Sequence, residues 1–110
     1  MASKPPDDSL PDYVLNNRAQ WDAQAGDWVE AGERGWVEEP AWGIWHLPES
    51  ELHLLPEDMS GMRAIELGCG TAYVSRWMQR RGASVVGIDN SERQLATARR
   101  LADEHSVELE

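Results

Sequence analysis

The chain has 110 residues, 41% hydrophobic and 27% charged, which excludes a disordered or fibrous protein and leaves room for one domain or part of a larger one. Its formal net charge of −10 would repel phosphates and argues against nucleic acid and anionic membranes as partners. A single cysteine, Cys69, excludes an internal disulfide framework and suits a reducing cytoplasm.

The charge is unevenly divided. Residues 1–60 hold 3 basic and 13 acidic side chains, whereas residues 61–110 hold 7 of each. Five of the six tryptophans also lie in the first part: Trp21, Trp28, Trp36, Trp42 and Trp45. No apolar run approaches the ~20 residues of a membrane span, and Met1–Asp8 lacks the apolar core of a secretory signal. The chain reads as a flexible tail over 1–11, a helical Trp-rich cap over 12–60 and a sheet-forming segment over 61–110.

Pro5, Pro6 and Pro11 block regular structure in the tail. From Asp12 the pattern is helical, with Val14, Trp21, Ala25 and Trp28 spaced to share one face and Gly26 placed to end or kink the helix. Gly32, Gly35, Pro40, Gly43 and Pro48 predict short pieces of helix and loop. Pro48–Pro56 predicts a short helix with acids in its first turn and a proline stop.

After Met59-Ser60-Gly61 the pattern changes. Arg63–Leu67 predicts a strand, and Thr71–Arg81 a helix that buries Val74, Trp77 and Met78. Gly82 suits a left-handed C-terminal cap behind Arg80 and Arg81. Ser84–Ile88 predicts a second strand. Ser91-Glu92-Arg93-Gln94 matches a reciprocal capping box, and Leu95, Ala98, Leu101 and Ala102 continue that helix on one face. Val107–Leu109 has room to begin a third strand. Strands alternating with helices predict an α/β fold with a parallel sheet.

Chemistry concentrates in the loop Glu66–Ala72 and at Asp89. Gly68 and Gly70 stand where a strand turns into a helix, and their bare backbone lets a ligand approach the helix N-terminus. Asp89 lies 19 residues beyond Gly70, a spacing that sets its carboxylate beside the same crevice, where it can accept hydrogen bonds from two ribose hydroxyls. A nucleoside-containing cofactor is implied. The dinucleotide fingerprint needs a small third residue, but Tyr73 occupies that position, and a pyrophosphate would meet the like charge of Glu66. An ammonium and a sulfonium would be attracted there.

Ile65-Glu66-Leu67-Gly68-Cys69-Gly70-Thr71-Ala72 resembles the first motif of class I S-adenosylmethionine-dependent methyltransferases, with Ala72 at its last, less strict glycine. Val85–Ser91 is similar to the family's second strand and ribose-binding acid. The resemblance implies a Rossmann-like sheet of which residues 61–110 are the first half, with S-adenosylmethionine as cofactor and a small-molecule methyl acceptor as partner. Gly68 and Gly70 would line the methionyl part, joined by Cys69 in the loop. Glu66 would lie near the amino group, directly or through water, Asp89 on the ribose and Asn90 against the adenosine. The family's later strands are absent from these 110 residues, so the chain alone is expected to be inactive and to self-associate through an open strand edge.

Blander roles stand beside these. The loop could be a plain turn, Cys69 a spacer rather than a nucleophile, and the tryptophans core rather than pocket lining, with Trp42-Gly43-Ile44-Trp45 the better candidate lining. His46, His53 and His105 show no metal-ligand spacing, so no metal is expected. No catalytic residue is assigned. The rival functions are a non-catalytic or partner-dependent fragment and, less favoured, an NAD(P)-binding oxidoreductase.

Overall fold

The computed structural model describes residues 10–108; most of the expected tail, and Leu109 of the expected third strand, lie outside them. The cap opens with helix α1 (Asp12–Gln24), tightens into a single 3₁₀ turn over Ala25–Trp28 and continues as α2 (Val29–Val37). The tight turn falls at Gly26, where a kink was expected. Strands β1 (Ala41–Trp42) and β2 (Leu47–Pro48) form a small antiparallel hairpin, followed by the one-turn helix α3 (Glu49–Leu52).

The sheet segment follows its expected order: β3 (Arg63–Leu67), α4 (Tyr73–Arg80), β4 (Ser84–Ile88) and α5 (Glu92–Glu104). β3 and β4 pair in parallel, from Arg63 opposite Ser84 to Leu67 opposite Ile88. Val107 and Glu108 form no strand; the Val107 N–H bonds back to Ala102 O at 3.0 Å, and its side chain packs on the core. One core joins Trp36 to Cys69, Ala72, Leu95, Ala98, Leu101 and Ala102; a second joins Met59, Met78, Ala83 and Val85. On β3, Ile65 and Leu67 stay 58% and 76% exposed.

Several expectations for the cap are corrected. The face Val14–Trp21–Ala25–Trp28 is not buried as a unit: Ala25 is buried, but Trp21 and Trp28 remain exposed and tilt against each other at 6.3 Å. α1 docks through polar groups instead. Arg18 Nε donates to Asn90 Oδ1 at 2.9 Å, and Asp22 accepts from Ser91 Oγ at the start of α5. Gly32 and Gly35 do not break the chain but lie inside α2, where it presses on its neighbours. A methyl at Gly32 would come within 2.6 Å of Thr71 Oγ1, and one at Gly35 within 2.8 Å of Tyr73 Cβ. The missing side chains therefore let the cap approach the glycine loop.

The helix predicted over Pro48–Pro56 stops at Leu52, because the Glu49 carboxylate folds back to accept from Leu54 N–H (2.5 Å) and Leu55 N–H (3.2 Å). Those bonds turn the chain at His53, whose φ is +50°. Glu49, one of the acids of that helix's first turn, is buried and pairs with Arg81 at 2.8 Å. Burial opposes its ionisation, but the bonds from Leu54, Leu55, Arg81 and Trp42 outweigh it and hold its carboxyl below the ordinary range.

The close approach at α2 has a measurable consequence. Gly32→Ala should destabilise the fold by about 1–3 kcal/mol through overpacking on Thr71. Gly26→Ala has open space around it and should stabilise by about 0.4–1 kcal/mol. Urea denaturation of the two variants checks this; equal effects would remove α2's close approach.

Candidate functional site

The loop between β3 and α4 is built by backbone bonds that depend on its composition. Gly68 and Gly70 adopt φ of +67° and +56°, which residues with a Cβ rarely take. Ala72 also takes a left-handed φ of +65°, so α4 begins at Tyr73 rather than at Thr71 as expected. The Cys69 N–H donates to Ile88 O at 2.9 Å and ties the loop to the tip of β4.

Asp89, the next residue, grips the same loop. Its Oδ2 accepts from Gly70 N–H at 2.8 Å and its Oδ1 from Ser91 N–H at 2.7 Å. One carboxylate thus fixes both the glycine turn and the start of α5, and each oxygen keeps a lone pair for a ligand. This also corrects the capping box. Ser91 Oγ accepts from Gln94 N–H at 3.3 Å, but the reciprocal bond is absent because Asp89 already holds the Ser91 N–H. Gln94 Oε1 is left buried with no partner, at a cost of about 1–3 kcal/mol.

Glu66 projects from β3 beside the loop, its Oε1 accepting from Ser75 Oγ–H at 2.6 Å and Ser75 N–H at 2.9 Å. Burial raises its pKa, the Ser75 bonds lower it and the nearby Asp89 charge raises it, with a net upward shift. A half-buried carboxylate in this position gains from an approaching cation. The Cys69 thiol is pushed up to about 12 by burial, with Glu66 and Asp89 adding to the effect. It stays protonated at neutral pH and serves as a spacer, seated where Gly87 leaves room: a methyl there would fall 3.0 Å from Sγ.

Asn90 faces the cap as well as the crevice. Its Oδ1 accepts from Arg18 and its Nδ2 donates to Val14 O at 3.1 Å, so its polar atoms tether α1. Together these residues floor a cavity of about 660 Å³, roofed by Trp21, Trp28 and Ile44. All six expected site residues lie at this cavity. Of the aromatic cluster, Gly43 and Ile44 line it; Trp42 packs edge-on against Trp77 at 5.2 Å, and Trp45 projects into solvent. The histidines are dispersed: His46 at the cavity mouth, His53 ending α3 and His105 stacked on Trp36 at 5.5 Å. Tyr73, the residue that breaks the dinucleotide fingerprint, packs in the space left by Gly35.

Residues 64–110 match a family model described as a methyltransferase domain. Over these residues the chain is similar to S-adenosylmethionine-dependent methyltransferase domains. A curated ubiquinone biosynthesis O-methyltransferase of Aeromonas salmonicida is 46% identical over 50 residues, covering 46% of this chain and 21% of that protein. Its counterpart in Roseobacter denitrificans is 36% identical over 55 residues, covering 50% and 22%. The chain spans about a fifth of the length of these curated relatives. A solved structure from work on the conversion of a disulfide bond into a thioacetal group during echinomycin biosynthesis has a TM-score of 0.53 at 22% identity. It covers 84% of this chain and 37% of that one, and this likeness shows the fold alone. Among the described residues no helix is long and apolar enough to cross a membrane.

The thiol provides a test of the loop. Iodoacetamide should label Cys69 at neutral pH only after the chain unfolds, since the native thiol is buried and protonated. Rapid labelling of the folded protein would show that the loop is open.

Proposed function

We propose that this chain binds S-adenosylmethionine in the cavity beneath the cap and serves the transfer of its methyl group to a small-molecule acceptor. The observation that carries this reading is the desolvated Glu66 carboxylate beside the glycine loop, whose raised pKa favours a cationic ligand. The site's shape fits as well. Apart from Gly68 itself and its two chain neighbours, no atom lies within 4 Å of where a Gly68 side chain would begin, and the cavity volume is in the range of small-molecule pockets.

In this reading Glu66 takes the ligand's ammonium, and Asp89 accepts from the ribose hydroxyls. The bare backbone of Gly68 and Gly70 lines the methionyl part, Cys69 holds the loop in place, and Asn90 positions the cap near the adenosine. When bound, S-adenosylmethionine supplies an electrophilic methyl carbon; an acceptor lone pair forms the new bond, and the carbon–sulfur pair returns to sulfur, leaving a neutral thioether. The protein contributes positioning and exclusion of water, the latter through the Trp21 and Trp28 roof. The relatives' names favour an oxygen acceptor on a small molecule. The buried thiol suits a cytoplasmic setting.

The exposed Ile65 and Leu67 on β3 favour a second reading for the 110-residue chain by itself: self-association, or dependence on further polypeptide, with no turnover alone.

Calorimetry on the full chain tests the cofactor. S-adenosylmethionine should bind and NADH should not. A bound cation lowers the pKa of Glu66, so binding should release a proton and tighten as pH rises through the raised Glu66 pKa, then level off. Glu66→Gln should weaken binding by about 1.5–3 kcal/mol at neutral pH and abolish that pH dependence. Preference for NADH would overturn the cofactor assignment, and an unchanged pH profile in Glu66→Gln would overturn the role of Glu66.

A further inference from the structure

Trp21 and Trp28 roof the cavity yet keep 41% and 47% of their surface exposed. Their rings are tilted by 46°, so neither lies flat on the other and each keeps an aromatic face uncovered. Ile44 borders the same space and is more exposed still. The tryptophans of α2 and α4 are committed elsewhere: Trp36 is buried in the core, and Trp77 meets Trp42 and Tyr73, each at 5.2 Å. Three large apolar side chains thus face the cavity from the cap. Glu66 and Asp89 belong to the loop side, whereas Glu38 and Glu39 line the cavity where α2 ends. Arg34 also lines it, but Glu30 already holds its guanidinium at 2.9 Å. The cap side is therefore aromatic and negatively charged.

We propose that the cap side of the cavity is a subsite for a planar aromatic acceptor that carries no negative charge, its ring packed on the faces of Trp21 and Trp28. This rests on the reading of the cavity as a cofactor site and names the acceptor class which that reading leaves open. Two uncovered indole faces gain from a second π-system by offset stacking or edge contact, beyond what an apolar group of equal area would give. A ring bearing a cation gains further, from those faces and from Glu38 and Glu39. A ring bearing a carboxylate meets like charge there, with Arg34 already engaged by Glu30.

Four small probes separate ring from charge: phenol, its saturated counterpart cyclohexanol, cationic tyramine and anionic para-hydroxyphenylacetate. Each is titrated into the full chain with and without saturating S-adenosylhomocysteine, while NMR follows the tryptophan indole N–H resonances. Phenol should bind about fivefold tighter than cyclohexanol, and tyramine about tenfold tighter than para-hydroxyphenylacetate, with shifts at Trp21 and Trp28. Trp28→Leu keeps an apolar side chain but removes a ring, so it should shrink the preference for phenol over cyclohexanol; a purely structural Trp28 would weaken both probes alike. Glu38→Gln combined with Glu39→Gln should narrow the gap between tyramine and para-hydroxyphenylacetate. Equal binding of phenol and cyclohexanol, tightest binding of para-hydroxyphenylacetate, or a ring preference unchanged in Trp28→Leu would each overturn the proposal. If S-adenosylhomocysteine does not bind while the probes keep these preferences, the cofactor reading fails and the aromatic subsite stands. If S-adenosylhomocysteine binds and no probe does, the subsite fails and the cofactor reading stands.

Discussion

The hydrogen bond from the Trp36 indole to the carbonyl of Thr71, 2.7 Å long and buried, is the contact on which the arrangement depends. It joins the acidic cap to the loop that would cradle a ligand. Trp36 has no exposed surface and shares a core with Cys69, Ala72 and the inner face of α5. Its carbonyl accepts from Arg80, and Trp77 Nε1 donates to Gly35 O at 2.9 Å, so α2 is pinned along α4 by its backbone as well as its side chains. With α2 fixed, Trp28 and Ile44 hang over the glycine turn and the crevice becomes a cavity. Burying so large a side chain stabilises by roughly 3 kcal/mol or more, and its N–H must find an acceptor to avoid a desolvation cost. The loop carbonyl provides that acceptor.

A second constraint comes from the economy of donors at the tips of β3 and β4. Asp89 spends one lone pair on Gly70 and one on Ser91, which makes the turn rigid before any ligand arrives. Rigidity of this kind reduces the ordering cost of binding. The same choice leaves Gln94 Oε1 buried with no partner. Burial makes Glu66 harder to ionise, while Ser75 fixes the direction of its carboxylate. The site is therefore electrostatically unfinished in a way that a cation would complete.

The sheet segment was legible in the sequence and the cap much less so, for identifiable reasons. β3, β4 and α5 carry local signals, a run ended by glycine or Asp89 and a serine cap, and each formed close to its expected bounds. The glycine loop was legible because backbone conformation dictates its residue types. In the cap, Val14, Trp21, Ala25 and Trp28 have helical spacing, yet periodicity does not distinguish a core from the roof of a cavity, and polar Arg18 and Asp22 make the docking contacts. Gly32 and Gly35 looked like breaks because their reason, contact with Thr71 and Tyr73, lies about 40 residues away in sequence. Glu49 was hidden among exposed acids, since the partners that permit its burial are backbone groups and a distant arginine.

The central claim is that the cap, anchored by Trp36, closes the glycine loop into a cavity that takes S-adenosylmethionine. Indole N–H resonances of the six tryptophans, followed by NMR during a titration of the full chain with that ligand, test it most directly. The account predicts saturable shifts at Trp21 and Trp28, slow solvent exchange at Trp36 throughout, and no change at Trp45, which projects into solvent away from the cavity. Fast exchange at Trp36, or saturable shifts at Trp45 with Trp21 and Trp28 unmoved, would contradict it.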